Sequence, residues 1–424
     1  MPEEFLHFIW MYQLFDHVAL YTSNGEKIQI LSAGFINNNS GPDFSNARIK
    51  IDDTVWAGNV EIHVSTSDWY LHQHQFDPAY SNVILHVVYH DDSERIQQLK
   101  NTIPILALEK RIDLSKYIDW ENLRKSDTWI PCENQLNKIP QVVINQMICA
   151  AAAKRLKEKT DRVISLNTFL KGHWEHTLMQ AIIIAMGTKV NKDAFHALAM
   201  IIPFQLIKKI EHNQLLLEAV LFGIAGLLDA ELKEDHPKKL KALFEFEDRK
   251  YHFNKLNPSI WKFMRMRPYN FPSVRIAQLA ALFANWTSVC ESVFYARDIS
   301  LIEKQFRKDT HLYWQTHYRF NSITKPRSSA IGKSMFHHIM INTVIPFLYA
   351  YGVKHDNEDH SRIAFELMEQ IDPEVNKITS NWKKRGVHAS NAFESQGLIE
   401  LKNTFCSFKK CLSCKVGVWI MNTE

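Results

Sequence analysis

The stretch Gly41–Val64, GPDFSNARIKIDDTVWAGNVEIHV, constrains this chain more than any other. Ala47, Ile49 and Ile51 alternate with Arg48 and Lys50, Asp52-Asp53 supplies a turn, and Val60, Ile62 and Val64 alternate with Asn59, Glu61 and His63. Period-two alternation is the pattern of a strand with one buried face. The stretch therefore predicts an antiparallel hairpin with Glu61 and His63 on the face away from the apolar set and Asp43 at the mouth of the neighbouring strand. Two carboxylates from adjacent strands beside an imidazole are a donor set for a divalent metal and for hydrolysis. The ordinary alternative is a turn-capping Asp43 and a solvated Glu61, since Pro-Asp beside glycine is common turn chemistry.

Elements on either side extend this hairpin into a layered domain. Phe5, Phe8, Ile9, Tyr12 and Phe15 recur at helical spacing. Asn24-Gly25 marks a turn, a strand follows over 27–35, and the polar loop INNNSGPD delivers Asp43. Ser67-Asp68 offers an N-cap for a short helix, SDWYLHQH, which Asp77-Pro78 interrupts. NVILHVVYH then reads as a strand buried on both faces, and one more strand is expected over 103–108. This order predicts an α/β domain over 1–111 with a mixed sheet flanked by helices. Beyond a boundary or linker over 112–140, only helical periodicity recurs, which predicts an all-α domain over 141–405. A cysteine-cluster tail over 406–424 completes the expected organisation.

Composition narrows the function classes. At 424 residues the chain exceeds one ordinary core. A formal net charge of +4 makes no global polyanion-binding field, so a nucleic-acid partner would need a local basic patch. No segment has the length and apolarity of a membrane span, and the opening MPEEFLHFIWMYQLFD lacks the basic flank and cleavage site of a signal peptide. Without an export signal the cysteines are expected as thiols or metal ligands, and the protein is expected in the cytoplasm.

Three further groups carry candidate chemistry. His63, His72, His74, His86 and His90 crowd one segment. Helical spacing lets His72 share a face with Asp68 but keeps His72 and His74 apart, and His86 within its apolar strand reads as a hydrogen-bonded core histidine. Zinc chemistry here lacks a strong spacing such as HExxH. Cys406, Cys411 and Cys414 follow a C-x4-C-x2-C spacing that can wrap Zn²⁺ or an iron–sulfur cluster, with Cys132 as the fourth ligand. Cys149 and Cys290 fall on apolar helical faces. In WKFMRMRPYNFPSVR, Arg265, Arg267 and Arg275 interleave with aromatics, so the guanidinium forks could take phosphate while rings stack on bases. The ordinary reading of that segment is an interhelix loop.

The order of elements, with Asp43 before one strand and Glu61-Ile62-His63 on the next, resembles the PD-(D/E)XK, restriction-endonuclease-like nuclease superfamily over roughly 1–110. The resemblance implies Asp43 and Glu61 as ligands of Mg²⁺ or Mn²⁺, with Glu3 or Glu4 as an accessory ligand. His63 stands where that superfamily has its lysine. A histidine can orient or deprotonate water, shift the preference toward Mn²⁺ or Zn²⁺, or mark a site that has lost its chemistry. Some members carry an iron–sulfur cluster on one early and three late cysteines, a layout similar to Cys132, Cys406, Cys411 and Cys414. Taken whole, GPDF, GNVEIH, SDWYLHQH, RMRPYNFPSVR, INTVIPFLYAYG and QGLIELKNTFC…CLSC resemble an uncharacterised bacterial family, domain of unknown function 2851. The expected function is a metal-dependent nuclease or nuclease-like phosphodiesterase. A catalytically inactive nuclease fold acting as a binding module and a metal-assisted hydrolase of another substrate are the alternatives.

Overall fold

The computed structural model describes residues 1–37, 39–93 and 103–423, so residue 38 of the loop before Asp43 lies outside it. The chain divides into two compact units: 1–146 with 403–424, and 147–402. The first holds a mixed sheet with helices; the second is mostly helical.

In the first unit, α1 (Glu3–Met11) buries Phe5, Leu6, Phe8, Ile9 and Trp10, and its acidic first turn suits the helix dipole. Each such side chain contributes about 1.5–3 kcal/mol relative to exposure. The sheet consists of β1 (Ile28–Ser32), β2 (Phe35–Ile36), β3 (Phe44–Ile51), β4 (Thr54–Ser65), β5 (Val83–His90) and β6 (Ile105–Ala107). Its path runs β1-β3-β4-β5-β6, with β2 also on β3. The β1/β3 and β3/β4 pairs are antiparallel, and β4/β5 and β5/β6 are parallel. Strand β4 thus has two halves, the first serving β3 and the second β5. Gly58 sits where they meet: a Cβ there would lie 2.4 Å from Ile84 Cγ2 and 2.7 Å from the Asn82 carbonyl oxygen.

The hairpin contains a feature that alternation alone does not reveal. Between Phe44 and Ala47 the β3/β4 register shifts from Ala47↔Gly58 to Phe44↔Val60. Asn46 occupies the left-handed region there, at φ +57°. A one-residue slip exchanges the two faces of a strand. The bulge therefore carries Asp43 to the position facing Glu61, where an unbroken register would set it against Ile62. Asn46→Val, forcing a β-branched residue into a left-handed conformation, is expected to cost about 1–2 kcal/mol. Asn46→Gly is expected to be nearly neutral; urea denaturation of both variants checks the contrast.

Helix α2 is shorter than its sequence suggests, spanning Asp68–Leu71 only, and Ser67 makes no side-chain cap. Asp68 instead turns back to accept from the Ser65 amide at 2.9 Å. The expected linker folds as part of this unit. Helix α3 (Leu114–Lys125) buries Trp120, which stacks on Phe5 at 5.4 Å between ring centroids. The C-terminal helix Lys415–Asn422 belongs to the same unit, and Lys116 Nζ donates to the Met421 carbonyl at 3.0 Å.

The second unit is built on helices such as Trp174–Met186, Gln214–Ile224 and Pro272–Phe283, the last buried at every position. One departure from all-helical expectation is a small hairpin, His317–Arg319 with Ser322–Ile323, which turns through left-handed Asn321. Such strands are too short to give periodicity. Among the described residues no helix is long and apolar enough to cross a membrane.

Within this unit Lys159 Nζ donates to Gln396 Oε1 at 2.8 Å and to the Ile341 carbonyl at 3.2 Å. Burial, followed by the neighbouring Arg155 charge, pulls its pKa down to about 7. Between that value and the unfolded value near 10.4, the unfolded chain binds the extra proton. The cost of a charged Lys159 is thus full below about pH 7 and vanishes as pH rises toward about 10. Lys159→Met is expected to raise Tm at pH 6.5 and to flatten the rise in stability between about pH 7 and 10, as melts across that range would show.

Candidate metal centre

Glu61 and His63 emerge from the second half of β4, both buried, on the face opposite Val60 and Ile62. Each carboxylate accepts from a backbone amide of the other's strand. The Asp43 amide donates to Glu61 Oε2 at 3.1 Å, and the Ile62 amide donates to Asp43 Oδ2 at 3.0 Å. His7 of α1 joins them, its Nε2 lying 3.2 Å from Asp43 Oδ2. Both carboxylates thus belong to one locus.

The structure adds two histidines that helical spacing kept apart. Helix α2 ends at Leu71, and Gln73 takes a left-handed conformation (φ 60°, ψ 27°) that re-aims the chain. His72 and His74 therefore converge with His63, one nitrogen from each ring lying within 4.8 Å of the others. Glu61 joins the three through close contacts to two of them, His63 and His74. His63 Nε2 is 3.2 Å from His72 Nδ1 and 3.4 Å from Glu61 Oε1, which is 3.3 Å from His74 Nε2. A tetrahedral ion with ligands at about 2.0–2.1 Å requires ligand–ligand edges of roughly 3.3–3.4 Å.

Surrounding groups fix the rings. His63 Nδ1 meets His86 Nε2 at 2.9 Å. An imidazole that offered Nε2 to a cation would carry its proton on Nδ1, and His63 would then donate it to His86. His86 is a hydrogen-bonded core histidine. His74 stacks on Tyr80 at 3.8 Å between ring centroids, and its Nε2 is buried without a hydrogen-bond partner. An orphaned buried nitrogen aimed at a carboxylate and two imidazoles fits a cation-binding locus.

The electrostatics without a cation are those of a desolvated donor set. Burial, reinforced by Asp43, pushes Glu61 up to about 8. Burial, then His72 and His74, pulls His63 down to about 4, and burial with His63 takes His86 down to about 3. Burial and His72 lower His74, and burial raises Glu3, with Asp43 adding to that rise. Neutral imidazoles are the ligating form. A divalent charge would favour ionised Glu61.

The cysteines form a second grouping of the first unit. Cys132 is pushed up to about 12 by burial and by the thiols of Cys414 and Cys411, and Cys411 also to about 12 by burial and Cys414. Burial raises Cys414, while the Gly417 and Val416 amides oppose the rise. Cys132 thus feels Cys414 and Cys411, but among the described residues the cysteines do not converge to ligating distance as the three histidines do, and Cys406 is half-buried. Cys290 is buried, whereas Cys149, expected on an apolar face, is exposed. The three arginines do not share one surface. Arg265 and Arg267 are exposed before the Pro272–Phe283 helix, and Arg275 within it is buried.

No curated protein and no solved structure matches this chain. A family model described as "Protein of unknown function (DUF2851)" matches residues 3–377, well over half of the sequence, and the chain belongs to that family.

Proposed function

We propose that the first unit is a metal-dependent phosphodiesterase of nuclease type, with Glu61, His63, His72 and His74 holding one divalent cation. The observation that carries this reading is the convergence of three histidine nitrogens within 4.8 Å, with Glu61 3.3–3.4 Å from two of them and Asp43 tied to Glu61 through its amide. Three nitrogens and one oxygen suit Zn²⁺ or Mn²⁺ better than Mg²⁺, which prefers oxygen and octahedral geometry. Such a cation would polarise a phosphoryl oxygen and lower the pKa of bound water. The chain's own groups do the rest. His86 fixes the His63 ring, Tyr80 holds His74 by stacking, and the half-buried Asp43–His7 pair is placed to accept a proton from an attacking water.

The choice of phosphodiester is supported by the order α1, β1, β3, β4, α2, β5 and the pairing of Asp43 with Glu61, both similar to the PD-(D/E)XK nucleases. The imidazole-rich donor set supports a second reading, a zinc-type hydrolase of another ester or amide. Metal-stripped protein reloaded with Zn²⁺, Mn²⁺ or Mg²⁺ and offered mixed DNA, RNA and small ester substrates separates them. Cleavage of nucleic acid restored by Zn²⁺ or Mn²⁺ is expected. Hydrolysis of esters alone moves the assignment to the second reading, and activity indifferent to metal removes both.

A further inference from the structure

The second unit contains a cavity of about 580 Å³ whose walls include Arg275, Gln278, Arg307, Arg327, Lys333 and His338, and no aspartate or glutamate. Two of its cations find paired carboxylates outside the walls: Arg307 bonds Glu303 at 2.7 Å and Lys333 bonds Asp372 at 3.0 Å. The other two do not, among the described residues. Arg275 is only 4% exposed, yet its guanidinium reaches neutral groups alone, Gln278 Oε1 at 2.8 Å and Asn270 Oδ1 at 2.5 Å. Its Nε is buried without a partner. Arg327 bonds the carbonyls of Ser328 and His317, lies over the Tyr318 ring at 3.8 Å, and also leaves Nε buried and unpartnered.

A buried guanidinium without a counter-charge is costly, and forked N–H donors match phosphate oxygens. Gln278 is itself pinned, donating to the Ser329 and Ala330 carbonyls, so it offers its oxygen to orient Arg275 rather than to neutralise it. Thr188 and His338 also line an adjoining cavity of about 570 Å³. That one adds Lys159, Arg162, Lys189 and Lys192, again without an acid, and an apolar wall of Val163, Leu166 and Ile184.

We infer that these adjoining cavities form a binding site for a polyphosphorylated small molecule of nucleotide type. Its phosphates would meet Arg275 and Arg327, and its less polar body the Val163–Ile184 wall. This site is separate from the proposed metal centre and does not depend on it.

Titration calorimetry of the full chain with pyrophosphate, ATP and a short single-stranded oligonucleotide at low salt tests the assignment. Both small phosphates are expected to bind with one site per chain, ATP the tighter. Arg327→Gln is expected to weaken both by roughly tenfold or more, since charge-assisted bonds to phosphate are lost, and Lys333→Gln, whose charge is already paired with Asp372, by less. Leu166→Asp is expected to weaken ATP and spare pyrophosphate. Arg275→Gln, a fully buried change, is judged only if its melt matches the wild type; the two half-buried or exposed variants decide otherwise. No heat with either phosphate at millimolar concentration, or binding unchanged by Arg327→Gln, overturns the site. An oligonucleotide that binds more tightly than ATP and depends on Arg327 overturns the small-molecule assignment.

Discussion

His74→Ala and His72→Ala are each expected to lower the first unit's affinity for Zn²⁺ or Mn²⁺ by at least about a hundredfold. Loss of a mere outer partner costs about 10–100-fold, so loss of a direct ligand sets that figure as a floor. The effect is expected to be large because the three histidine nitrogens converge within 4.8 Å, with Glu61 Oε1 3.4 Å from His63 Nε2 and 3.3 Å from His74 Nε2. His86→Leu removes the acceptor that fixes the His63 ring and is expected to fall within the outer-partner range. Competition against a chromophoric chelator measures all three. Retention of the same affinity in His74→Ala would leave that nitrogen as a buried core group with no ligating role.

The part of this centre that was legible in sequence is the part written in alternation. Val60, Ile62 and Val64 declare one face of β4, so Glu61 and His63 had to share the other. Placing Asp43 beside Glu61 required more than alternation, because the straight register sets Asp43 against Ile62. The deciding residue is Asn46, whose left-handed conformation creates the bulge. Asparagine tolerates that conformation, but so many asparagines lie in ordinary conformations that the residue alone gives no signal.

His72 and His74 were missed for a related reason. Helical arithmetic separates residues two apart, and it holds only while the helix lasts. Here the helix stops at Leu71 and left-handed Gln73 redirects the chain. The Asp77-Pro78 pair a few residues later was the available hint that this helix is short.

Long-range association was the least legible. Nothing periodic in 403–424 says that the segment returns to the first unit, yet it folds there, where Cys411 and Cys414 act electrostatically on Cys132. The matching of one early and three late cysteines was the only sequence signal, and it came from a resemblance. Likewise, a polar and tryptophan-bearing stretch read as a linker contains α3, whose Trp120 is 2% exposed and belongs to the core. A helix with so few apolar residues is stabilised by what it packs against, which a local window does not contain.

The second large effect concerns chemistry. Glu61→Gln preserves shape and leaves an oxygen to accept the Asp43 amide, so the fold should survive. It removes the carboxylate charge from the donor set, and cleavage should fall by about 10²–10³-fold or more, the scale on which a single electrostatic contact to the reacting centre acts. The most direct test is cleavage of mixed single- and double-stranded DNA and RNA by metal-stripped protein, before and after Zn²⁺ or Mn²⁺ is restored, beside Glu61→Gln treated identically. The proposed role of Glu61 predicts cleavage that returns with the metal in the wild type and not in Glu61→Gln, with both proteins melting alike. Cleavage that persists in Glu61→Gln, or a well-folded wild type that binds the ion and cleaves nothing, would contradict it.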